Sequence, residues 1–137
     1  MNNSSEVYEA IDAATEALNH LYAAKDKMKS AQRWGILDIM GGGFISTLVK
    51  RKKMQRAQIE AEQAQIAIAN FKDQLDDVFD LDLKLDDFLS FSDYFFEGLF
   101  FGDMVVQGRI NEALNKLTRT IDIIERIKRQ LQDLLNG

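Results

Sequence analysis

Cysteine and proline are both absent from the 137 residues, and histidine and tryptophan each occur once. Without cysteine there is no disulfide framework, no thiol nucleophile and no thiolate-ligated zinc. Without proline, and with only eight glycines, collagen-like and proline-rich linker architectures are excluded. The single histidine, His20, stands one helical turn from Glu16 and Ala24. That is not the Glu-x-x-His spacing of di-iron bundles, so it reads as a surface or boundary residue. Long apolar runs are missing as well. The least charged stretch, residues 35–49, holds Asp38 and falls short of the roughly 20 residues needed to span a bilayer. The opening M-N-N-S-S-E-V-Y-E-A has neither a basic start nor an apolar core, so no secretory signal is expected and the cytoplasm is the default location.

The remaining composition, 46% apolar and 28% charged, is that of one soluble globular domain. Its pattern is helical. Val7, Ile11, Ala14, Leu18, Leu21 and Met28 recur by threes and fours, while Ala10, Ala17, Ala24 and Ala31 recur by sevens. A heptad of small residues lets a neighbour approach closely, so the first helix is expected to meet partners on more than one side. Ser4 or Ser5 suits its N-cap. A second stripe runs through Met54, Ala57, Ala61, Ala64, Ile68, Phe71, Leu75 and Val78. A third runs through Ile110, Leu114, Leu117, Ile121, Ile124, Leu131 and Leu135, with Lys128 as its break. Between the second and third, Leu81, Leu83 and Leu85 alternate with Asp and Lys, but no second alternating run exists to pair as a strand. The segment reads as an extended connector.

The expected architecture is therefore all-α, an antiparallel bundle of three long coiled-coil-like helices plus a shorter aromatic-rich helix and that connector. The boundaries place helices at 5–34 and 46–78, a glycine turn at 35–45, a connector at 79–91, and a helix at 92–136 that is either continuous or broken near 102–108. All form one domain, monomeric or self-associating as a homodimer.

Charge is segregated. Residues 36–56 carry Lys50, Arg51, Lys52, Lys53 and Arg56 against Asp38 alone, whereas residues 57–103 carry twelve acids and two bases. If the second helix is straight, its start is basic and its end acidic, opposite to what the helix dipole favours. Those charges are expected to serve something besides helix stability.

Familiar chemistry finds little footing. The acidic D-L-D-L-K-L lacks the third oxygen ligand and the glycine of a calcium loop. G-G-G-F-I-S-T-L-V-K-R is not a phosphate-binding G-x-x-x-x-G-K-[ST] loop, and no strand precedes it. Nucleic acid is disfavoured, because the chain carries a net charge of −5 and no aromatic interleaves the basic run. No cofactor or metal is indicated. Trp34, Ile36, Leu37, Ile39, Met40, Phe44 and Ile45, flanked by Arg33 and the basic run, do resemble an interfacial anchor for anionic membrane.

Two segments carry a resemblance. The stretch R-W-G-I-L-D-I-M-G-G-G-F-I-S-T-L-V-K with M-Q-R-A-Q after it, and F-S-D-Y-F-F-E-G-L-F-F-G-D-M-V-V-Q-G-R-I later on, resemble a group of uncharacterised small helical proteins of Gram-positive bacteria. The resemblance brings no assigned activity. It implies a shared site at Trp34, Asp38, Gly41, Gly42, Gly43 and Lys50, together with Asp93, Phe96, Gly98, Asp103, Gln107 and Arg109. The group commonly has a histidine and acids after the position of Lys50, where this chain has bases, so any metal or acid–base role of that histidine does not carry over.

These readings lead to a non-enzymatic interaction or adaptor protein that offers helical faces and a basic, glycine-rich tip to a protein partner. Candidate interaction residues are those of the shared site with Arg51, Lys52 and Lys53. The alternatives are peripheral binding to anionic membrane through residues 34–53, and a ligand-binding or enzymatic site using Asp38, Asp103 and Arg109.

Overall fold

Alanine at every seventh position removes the side-chain bulk that normally holds two helices apart, and this decides how the molecule packs. In the computed structural model the backbone is described for residues 3–39, 44–79 and 109–136, and the side chains for 4–33, 52, 53, 55–78 and 109–136. The described chain is an all-α bundle of three helices: α1 at Asn3–Ile39, α2 at Phe44–Phe79 and α3 at Ile110–Asn136. Helix α1 packs along both others, most extensively along α2. It has 37 residues and is about 55 Å long.

The two stripes expected on α1 are both buried, except that Ile11 sits half-buried at the edge of the core. Ala10, Ala17, Ala24 and Ala31 are fully covered, and beside them lie Val7, Ala14, Leu18, Leu21 and Met28. A helix buried on two adjacent sides suits the middle position that its contacts with α2 and α3 require. On α2 the core residues are Ala57, Ala61, Ala64, Ala67, Ile68, Phe71, Leu75 and Val78. Among the described side chains of α2, the core positions at 57–67 therefore contribute only methyl groups, and those at 68–78 supply the large side chains. Each of those large side chains is worth about 1.5–3 kcal/mol of burial.

The third stripe differs from its expected course. Helix α3 buries Ala113, Leu117, Thr120, Ile121, Ile124, Ile127 and Leu131, while Ile110, Leu114 and Leu135 sit at the edge of the core. Ile127, three residues after Ile124 and four before Leu131, fills the step where Lys128 looked like an interruption, so the stripe is unbroken. Buried Thr120 fits because its Oγ1 donates to the Lys116 carbonyl at 2.8 Å.

The helix ends also differ from expectation. α1 does not stop at 34: it begins at Asn3, before the two candidate capping serines, and continues through Gly35 to Ile39. A single glycine costs a helix only about 1 kcal/mol, which flanking residues can outweigh. α2 starts at Phe44 and ends at Phe79. Arg109 is not helical; its carbonyl accepts from the Ala113 N–H at 3.0 Å in the first turn of α3. The described helix α3 therefore starts at Ile110. The rest of the expected glycine turn at 40–43, the connector after 79 and the aromatic helix from 92 lie outside the described residues.

Between α1 and α3, Gln32 donates to Asn111 and Tyr22 Oη donates to Glu125 Oε1. Residues late in α1 thus meet residues early in α3, and residues nearer the middle of α1 meet the middle of α3.

Candidate functional site

The basic run is carried by the early turns of α2. Because that helix begins at Phe44, Lys50 to Arg56 lie in its second to fourth turns, beyond the first turn where the dipole acts most strongly. The conflict between these cations and the helix N-terminus is accordingly smaller than the sequence pattern implies. At the other end Asp76 and Asp77 do fall in the last turn. There Lys72 Nζ lies 3.4 Å from Asp76 Oδ2, a half-exposed ion pair that offsets part of the conflict. Of the basic side chains that are described, Lys52 and Arg56 are exposed and Lys53 is half-buried.

Trp34 and Asp38 lie on the final turns of α1, and Lys50 and Arg51 on α2, as backbone positions. Gly41, Gly42, Gly43, Asp93, Phe96, Gly98, Asp103 and Gln107 lie outside the described residues. Arg109 is half-buried and forms an ion pair with Glu112, whose charge also suits the start of α3. Of the trio Asp38, Asp103 and Arg109, only the arginine side chain is described, and it has a carboxylate partner, Glu112, in the first turn of α3.

Two clefts along the α1–α3 boundary were not anticipated from the sequence. One, of about 680 Å³, is lined by Tyr8, Arg126, Arg129, Gln132 and Asp133 among others. The other, of about 290 Å³, is lined by Thr15, Asn19, Tyr22, Glu125 and Lys128 among others. Both are open grooves of mixed charge, and Arg126 is 3.4 Å from Asp122 on its own helix. The only hint in the sequence is that Tyr8 and Tyr22 stand off the apolar stripe of α1, where an exposed ring can wall a groove.

His20 is half-buried at the edge of α1. Lys116 is the one described group with a resolved titration shift: burial holds its ammonium below the ordinary lysine value of 10.5. Among the described residues there is no group of three potential metal ligands, and no helix is long and apolar enough to cross a membrane. Compared with protein-family models, curated proteins and solved structures, the chain matches none.

Proposed function

We propose that this chain is a non-enzymatic helical interaction or adaptor protein, presenting its helical faces and the basic stretch that follows its triple glycine to a protein partner. The observation that carries this reading is the exposure of Lys52 and Arg56 on the early turns of α2, beside the half-buried Lys53. Cations in that position add little to the helix that bears them, so their clustering fits recognition of an acidic surface. The resemblance of the two glycine-bearing segments to one group of bacterial helical proteins supports placing the contact at that end of α2.

The three helices form, on this reading, an antiparallel coiled-coil-like bundle. Support comes from the paired positions Gln32 with Asn111 and Tyr22 with Glu125, and from the seven-residue recurrence of buried alanines along α1.

Affinity capture from a cell lysate with the intact chain, run beside Lys50→Glu combined with Lys53→Glu, tests the reading. A partner recovered by the wild-type chain and lost with the variant is expected. Failure to recover any partner, or equal recovery by both chains, would overturn it. Flotation with vesicles of anionic lipid is a separate arm: association that those same substitutions abolish would favour a membrane surface over a protein.

A further inference from the structure

Helix α2 packs one face into the core, and its opposite face carries two large apolar side chains into solvent. Ile59 and Ile66 are 56% and 67% exposed and stand one heptad apart on the same stripe. Lone exposed isoleucines are ordinary surface residues. These two are set apart by the order of what flanks them. Exposed Lys52, Gln55 and Arg56 precede them, exposed Glu62 and Gln63 lie between, and exposed Ala69, Asn70, Asp73 and Asp77 follow.

That order is complementary to its own reverse. Turned end for end about the point between Glu62 and Gln63, the stripe sets Ile59 on Ile66, Lys52 on Asp73, Gln55 on Asn70 and Glu62 on Gln63. A two-fold axis imposes this operation, since in a symmetric dimer the contact of residue i with residue j is repeated as j with i. We propose that the stripe is a two-fold interface between two copies of this chain, with α2 laid against α2 in opposite directions. The four isoleucines form its apolar centre, and a lysine–aspartate pair closes each end. Parallel pairing is disfavoured, because it would set Lys52 against Lys52 and Asp73 against Asp73. The contact spans residues 52–73, about 33 Å of helix. With so small an apolar centre the dimer is weak and concentration-dependent. This association goes beyond the adaptor reading and does not depend on it.

Sedimentation of the intact chain between about 1 and 500 μM tests the interface, a range that brackets a weak association. Wild-type chain is expected to shift from monomer to dimer across that range. Ile59→Asp combined with Ile66→Asp is expected to stay monomeric with unchanged helical circular dichroism. Lys52→Asp alone and Asp73→Lys alone should each weaken the dimer about five-fold, since each replaces two attractive pairs with repulsive ones. The double variant, Lys52→Asp with Asp73→Lys, should recover wild-type affinity, because each reversed charge meets its reversed counterpart on the other copy. A wild-type chain that remains monomeric throughout overturns the proposal, as does a dimer indifferent to the isoleucine substitutions. A double variant no better than the singles also overturns it, and that arm decides the matter if the isoleucine variant fails to fold. Neither isoleucine belongs to the basic run, so loss of the dimer with retained partner capture, or the reverse, separates this interface from the adaptor contact.

Discussion

Ala24 is a methyl group with no room around it. It is fully buried on α1, the helix that meets both neighbours, and so is Ala17 one heptad earlier. Enlarging either to leucine forces the close-packed helices apart, so Ala24→Leu should destabilise the fold by about 1–3 kcal/mol in chemical denaturation. An equal substitution at exposed Ala69 should change stability by less than about 0.5 kcal/mol. Lys116 sets a second expectation at this scale. Its ammonium is partly desolvated in the folded chain, so the folded-state pKa lies below the unfolded value of 10.5. The unfolded chain therefore binds the proton more tightly, and this group's contribution to stability rises with pH through the window just below 10.5. Thermal melts should find Lys116→Met more stable than wild type at pH 7, with the gap narrowing towards pH 10.5. The alanine heptad was legible in the sequence because small residues at a fixed spacing have few other uses. The burial of Lys116 was not, since it depends on which neighbours crowd the edge of α3.

At the scale of a helix, periodicity located α1, α2 and α3, and their ends were harder to read. Gly35 looked like a stop, yet α1 runs through it to Ile39, because a glycine weakens a helix without terminating it. Ile127 was hidden by the lysine beside it. In the folded chain Ile124, Ile127 and Leu131 face the core together, which makes the stripe along α3 continuous. Asp77 is an exposed acid in the last turn of α2, where the dipole favours cations. Asp77→Lys should therefore raise stability by about 0.3–1 kcal/mol at low ionic strength, and added salt should erase much of the gain. A melting temperature that is unchanged or lowered at low salt would count against that account.

For the whole molecule, the arrangement of contacts sets an order of local stability. α1 is held by two neighbours along much of its length, whereas among the described residues α3 packs mainly against α1. Native-state hydrogen exchange should accordingly find the slowest amides in the middle of α1, from about Ala14 to Met28, with α3 opening at lower free energy. Equal protection in the two helices would show that α3 is held by more than its seam with α1. The clefts beside Tyr8 and Tyr22 belong to this scale too. Each is walled by residues more than a hundred positions apart, and no local pattern announces such a neighbour.

What the sequence by itself determined is the class of structure and, among the described residues, the identity of most of the core. Apolar spacing by threes and fours admits only helices, and with neither proline nor cysteine present nothing else interrupts or staples the chain. The candidate interaction residues were legible as a pattern of charge and glycine, without their geometry. Only the tertiary structure decided that α1 lies between its neighbours, that Arg109 is engaged by Glu112, and that Ile59 and Ile66 face outward on α2 while alanines face inward. The physical reason is that periodicity defines the sides of a helix. Which side becomes buried depends on where the other helices lie, and that is set by contacts between residues far apart in the chain.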